Sequence, residues 1–244
     1  MNETGALEFF FVQCQAFAET LEKHRGREGL IDNLLSQAFS SFDGNVAEQS
    51  EGCPEIACHK GCATCCTLRV TATAPEILLI ARYIRWAEFH GSDINLPKRL
   101  AKANRLTSGL NETQRLKLRR PCPFIMRGVC VIYPVRPLAC RGHACYDQRA
   151  CVDAAAGRID RIPLSEPHNF FRGLIQNAMQ SALRDAGYPW ASYELIQSLN
   201  LALTDDDCQA LWTEGVDILA PARIEEVSLE EMGNTFDNIK LQFI

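Results

Sequence analysis

Four thiols fall within nine residues, at Cys58, Cys62, Cys65 and Cys66, and a second segment carries Cys122, Cys130, Cys140 and Cys145. Sulfur atoms at such short spacings either cross-link covalently or converge on a cation, and the redox compartment decides between the two. A chain of 244 residues, 47% hydrophobic, buries a core without disulfide staples, so its twelve cysteines need another reason. Met1-Asn2-Glu3-Thr4 places an acid where a secretory leader carries lysine or arginine, and the apolar run 9–12 is too short for a leader core. We therefore expect a cytoplasmic chain with reduced thiols. The apolar run 77–81 is far below the roughly 18 residues of a membrane span, so no membrane segment is expected. The cysteines then point to metal.

A cation held by sulfur at about 2.3 Å needs several ligands that converge, and glycine lets a short loop curl around the ion. Gly61 offers that freedom in the first segment, and Gly128 and Gly142 offer it in the second. Between residues 115 and 149 stand eight basic residues and one acid, Asp147. Cationic neighbours lower thiol pKa and offset the negative charge of a metal–thiolate centre. The alternatives for this basic stretch are a solvated face or a nucleic-acid patch. Arg136 and Arg141 flank Cys140, and we mark them as groups that donate to cluster sulfurs or to a bound anion.

Elsewhere the periodicity is helical. Apolar residues recur at three- and four-residue steps over 7–21 and again over 31–42, where Gly44 through Gly52 breaks the pattern. Thr73-Ala74-Pro75-Glu76 has the spacing of a capping box, with proline in the first turn, and predicts a helix to about His90. Further helices are predicted from Leu96 to Leu110, over 170–183, over 192–201 and over 205–219, with Asp205-Asp206-Asp207 at a helix start. Strand signals are confined to 68–71 and to 125–133, where Arg127-Gly128 turns a short hairpin. The expected fold is mainly α, with a Cys-rich, largely irregular metal-binding core and one or two short hairpins. We divide it into an N-terminal helical segment (1–50), a cysteine-cluster domain (51–152) and a C-terminal helical region packing on it (153–244).

Cys58-x3-Cys62-x2-Cys65-Cys66, Thr73-Ala74-Pro75-Glu76-Ile77, Pro121-Cys122-Pro123-Phe124, Cys130-Val131-Ile132-Tyr133 and Arg136-Pro137-Leu138-Ala139-Cys140-Arg141, with Cys145 downstream, together resemble the YkgJ-type cysteine-cluster family of zinc- or iron-chelating proteins. The resemblance covers about residues 58–145 and implies eight metal-ligating cysteines at the positions named above. Some relatives look like flagellin lysine methylases, which implies cluster-dependent methyl transfer to a protein lysine as the first candidate activity. Cys53 and Cys151 flank the motif, and either replaces an outer ligand as readily as the spacing allows. The vicinal pair Cys65-Cys66 strains if both sulfurs bind one ion.

All-sulfur coordination suits zinc and iron–sulfur clusters alike. The spacing Cys58-x3-Cys62-x2-Cys65 is also that of radical S-adenosylmethionine enzymes, but no alternating strand–helix series follows it here. We place a [4Fe–4S] cluster ahead of zinc, with S-adenosylmethionine behind both. The competing function class is a structural zinc module for a protein or nucleic-acid partner. His59 and His143 lie within the cysteine segments as substitute ligands, whereas Cys14 and Cys208 fall on apolar helical positions as small hydrophobes.

Overall fold

A computed structural model describes residues 2–243. Among the described residues stand eleven α-helices and two short antiparallel strand pairs, so the chain is mainly helical. The first stripe forms α1 (Glu3–His24), whose Asn2 side chain accepts the Gly5 N–H, and buries Phe10, Cys14, Phe17 and Leu21. The second forms α2 (Leu30–Gln49), which continues past Gly44 because Phe42 and Val46 keep its buried face going. These two helices pack on each other and on α8 (Glu166–Asp185), the longest of the C-terminal helices.

A second group assembles around β1 (Thr71–Thr73) and α3 (Ala74–Phe89). The Thr73–Glu76 capping box is present as the sequence predicts, and Pro75 sits in the first turn. Strand β1 pairs with β4 (Ser192–Glu194), with Ala72 opposite Tyr193. The predicted helix over 192–201 therefore starts late, as α9 (Leu195–Thr204), because its first three residues extend to meet β1. Helices α3 and α4 (Leu96–Thr107) rest on α9. The predicted helix over 205–219 shortens to α10 (Cys208–Thr213), where Asp207 precedes the first turn, and a 3-10 turn at Ala220–Ala222 follows. The last helix, α11 (Leu229–Lys240), returns to α1 and is tied to α8 by Arg184 and Asp237, 2.7 Å apart.

One continuous apolar cluster draws on every part of the chain, from Phe17 through Ile77 to Phe171 and Trp212. No helix among the described residues is long and apolar enough to cross a membrane. What remains outside this frame is the material of interest. Residues 50–70 run irregularly between α2 and β1, and residues 119–165 hold only short elements: the hairpin β2 (Ile125–Met126) and β3 (Val129–Cys130), a 3-10 turn at Tyr133–Val135, then α6 (Leu138–Gly142) and α7 (Gln148–Ala155).

Candidate metal centre

The first cysteine segment is a series of tight turns. Cys62 N–H donates to the His59 carbonyl at 2.9 Å, Cys66 N–H to Ala63 at 3.1 Å and Leu68 N–H to Cys65 at 3.1 Å. Gly61 makes the bend at φ +95°, a conformation that a side chain disfavours. The hairpin lies over this loop: a Cβ placed on Gly128 would stand 3.7 Å from the Gly61 carbonyl oxygen. Arg127 and Gly128 both have positive φ, as a two-residue hairpin turn of the I′ kind requires, and the predicted turn is where the sequence puts it.

Two backbone hydrogen bonds sew the cysteine segments together. Cys122 N–H donates to the Cys66 carbonyl at 2.6 Å, and Ala57 N–H donates to the Cys145 carbonyl at 2.8 Å. The thiols consequently lie within electrostatic reach of one another, Cys58 of Cys62, Cys65 and Cys145, Cys140 of Cys122, Cys130 and Cys65, and Cys151 of Cys145, Cys58 and Cys65. All twelve cysteines are free thiols. Among the described residues, no three His, Cys, Asp or Glu side chains close about a common point as the ligands of one ion would.

The backbone nevertheless aims donors at the sulfurs. Asp147 N–H donates to Cys145 Sγ at 3.4 Å, and the backbone of Phe124 and of Ile132 lowers the pKa of Cys122 and of Cys130. Cys145 N–H adds a second such contact, to Cys58 Sγ at 3.4 Å. A thiol is a weak acceptor and a thiolate a good one, so the Cys145 N–H favours the ionised form of Cys58.

Burial opposes them. It pushes the Cys122 thiol up to about 12, and contact with the Cys66 thiol, followed by burial, raises Cys65 further. Burial also raises Cys58, Cys130 and Cys140. Without a nearby cation these groups stay protonated, and a bound metal inverts that balance because a coordinating thiol gives up its proton.

The two arginines that flank Cys140 part company. Arg136 lies 4.1 Å over the exposed Tyr133 ring, its charge lowers the pKa of Cys65, Cys130 and Cys140, and its buried Nε has no hydrogen-bond partner among the described residues. Arg141 turns the other way. It donates to the carbonyls of Arg136 and Pro134, stacks on Phe39 at 3.9 Å and reaches Asp43 at 3.6 Å, which ties α6 to α2. Arg115, read in the sequence only as one of a basic run, is 3% exposed; its Nε and Nη1 lack partners among the described residues, and its charge acts on Cys122.

Glu76 is the polar residue that periodicity hides. Beyond capping α3 it bridges to α6, because its second carboxylate oxygen accepts the Leu138 N–H at 2.7 Å. The capping spacing was readable, but a hydrogen bond to a residue so remote in sequence leaves no local signal. Cys151, read in the sequence as a substitute for an outer ligand, lies on α7, and the neighbouring Cys145 raises its pKa after burial.

His59 is exposed and His143 half-buried, and burial lowers the His143 pKa. His143 lines a cleft of about 460 Å³ together with Cys65, Cys151, Lys117, Arg119 and Asp160. Cys53 is exposed at the end of α2 and its thiol donates to Gln49, while Cys14 and Cys208 lie inside the helical core. No protein-family model, no curated protein and no solved structure matches this chain. The resemblance to the YkgJ-type family thus rests on the motif residues alone.

Proposed function

We propose that this chain binds transition metal through thiolates drawn from Cys58, Cys62, Cys65, Cys66, Cys122, Cys130, Cys140 and Cys145, as a cytoplasmic protein whose cysteine segments close around the metal to form a Cys-rich core. The observation that carries this reading is that backbone bonds from Cys122 N–H to the Cys66 carbonyl and from Ala57 N–H to the Cys145 carbonyl join the two cysteine segments, with N–H groups donating to the sulfurs of Cys58 and Cys145. Hydrogen bonds to sulfur tune and stabilise metal–thiolate centres, and a buried protonated thiol gains little from them. Arg115 and Arg136 supply the positive charge that such centres need, with guanidinium nitrogens left over from other bonds.

The first candidate for the metal group is a [4Fe–4S] cluster and the second is zinc. The cleft reaching Cys65 and Cys151 favours an accessible centre over a sealed structural one. On that basis the activity is a methyl transfer to a protein lysine with S-adenosylmethionine as donor, the role that the methylase-like relatives of the YkgJ type suggest. The cluster would supply redox chemistry, while Lys117 and Arg119 at the cleft wall would hold an anionic group of the donor. Protein purified without oxygen decides the matter: a brown solution whose spectrum changes on adding S-adenosylmethionine supports the enzyme. A colourless protein holding tightly bound zinc, indifferent to S-adenosylmethionine, points to the structural module instead.

A further inference from the structure

We propose that the cleft of about 460 Å³ beside the first cysteine turn binds an amphipathic anion, with an apolar body against Leu68, Leu116, Ile159 and Ile162 and an acidic head on Lys117 and Arg119. This goes beyond the metal reading, because none of these groups has to ligate an ion.

Three stretches of chain build the cleft. Residues 64–68 form one wall, the end of α5 (Glu112–Leu118) with Arg119 forms a second, and the end of α7 with the loop 157–162 forms the third. Its volume lies within the roughly 300–1,000 Å³ of small-molecule sites. Each wall contributes aliphatic side chains, so a ligand loses apolar contact with water on every side. Leu116 and Ile159 are 44% and 38% exposed, large apolar groups that such a ligand would cover.

The charges set the sign of the head group. Lys117 and Arg119 both line the cleft, and neither pairs with a carboxylate among the described residues. One acid, Asp160, lines it too. Two cations against one acid favour an anion, and the arginine fork beside the lysine point charge suits a carboxylate or a phosphate. No Phe, Tyr or Trp lines the cleft, so it lacks the stacking surface on which a nucleobase rests.

Arg119 is a residue that helix geometry alone would not choose. It ends α5 in the left-handed conformation, φ 49° and ψ 34°, where helices take glycine because a Cβ is disfavoured. Its Nη2 donates to the Ala156 carbonyl at 3.2 Å, which ties the guanidinium to the end of α7. That bond uses one of five N–H donors and leaves the rest of the fork for a ligand. Strain kept at a cleft wall points to binding rather than to stability.

The probe is anilinonaphthalene sulfonate, an aromatic body with one anionic group, titrated by fluorescence against the full-length protein as isolated. One probe should bind per chain, and decanoate should displace it. Decanol, which lacks the charge, should compete at least about tenfold less well, and inorganic phosphate, which lacks the apolar body, should not compete. Arg119→Gly and Lys117→Gln should each weaken the probe about tenfold, and Ile159→Asp should abolish its binding. The melting temperature of Arg119→Gly should equal or exceed the parent's, since glycine relieves the left-handed strain. A purely structural Arg119 would instead lower it and leave the probe in place. Probe binding that survives all three substitutions, or that decanoate does not displace, overturns the inference. Phosphate competing as well as decanoate overturns it too, because the cleft is then a bare anion patch. Metal content read on the same preparations keeps the two proposals apart: metal retained without displaceable probe sinks this one alone, and displaceable probe without metal sinks the metal reading alone.

Discussion

The Glu76 carboxylate, 1% exposed, accepts the Leu138 N–H at 2.7 Å through one oxygen and the Thr73 N–H at 2.8 Å through the other. It therefore joins the start of α3 to the start of α6, and Cys140 sits two residues beyond that joint. Glu76→Gln turns one acceptor into a donor and leaves a buried N–H unpaired, which costs about 1–3 kcal/mol. Burial raises the Glu76 pKa above its ordinary 4.5, so the pH dependence has a definite sign. Below that value native and unfolded chains both hold the proton. As pH rises, the unfolded chain releases it first, and stability declines until the native carboxyl ionises too. Urea denaturation across this range should show the parent protein losing stability faster than Glu76→Gln, with the gap between them narrowing toward neutral pH.

Gly142 is the contact between α6 and α8. A Cβ there would stand 2.5 Å from the Arg172 Cβ, an atom too close to the backbone to swing away. Gly142→Ala should destabilise the fold by about 1–3 kcal/mol and, by moving Cys140, weaken metal binding. Denaturation and a chelator competition measured on the same preparation check both effects, and an unchanged metal affinity would separate α6 from the site.

Metal removal should act locally. The helical frame rests on apolar packing among α1, α2, α3, α8 and α9, whereas residues 50–70 and 119–165 are joined by a few backbone bonds. Ligand closure is then part of the folding free energy of these segments only. After complete chelation we expect protease cleavage confined to them, with most of the helical circular dichroism retained. Cleavage that stays as slow as in the metal-loaded protein would count against a metal role in their folding.

The helices were legible because burial follows a period the sequence displays: α1, α2, α3 and α8 stand where apolar residues recur at helical steps. The Arg127–Gly128 turn was legible for a local reason, the positive φ of both residues. The β1–β4 pair was not. Its strands, each three residues long, find each other across about half of the chain, and Ser192 to Glu194 carry no alternation that separates them from the helix they precede. Helix α7 was missed because it buries no side chain and so leaves no apolar stripe. In the site, the residue types and the two-segment pattern were readable. Which sulfurs become neighbours was not, since it depends on the Cys122–Cys66 and Ala57–Cys145 backbone bonds.

Cysteines outside the site should be dispensable for it. Cys14 is buried in α1 with its thiol donating to Ala178, and burial raises its pKa to about 11. Cys208 is buried in α10 with a similar rise to about 11. Cys14→Ala and Cys208→Ala should each cost about 1 kcal/mol in packing and leave the metal content unaltered, whereas Cys145→Ala should lower it. Metal lost equally from all three variants would mean that fold stability, and not ligation, controls retention.

The central claim is that the two cysteine segments hold metal as thiolates. Elemental analysis of freshly isolated protein, prepared without oxygen and paired with a free-thiol count before and after chelation, tests it most directly. The account predicts iron or zinc at a fixed ratio to protein and thiols of the site that react only once the metal is removed. Protein without bound transition metal, or with these cysteines joined in disulfides inside the cell, would contradict it.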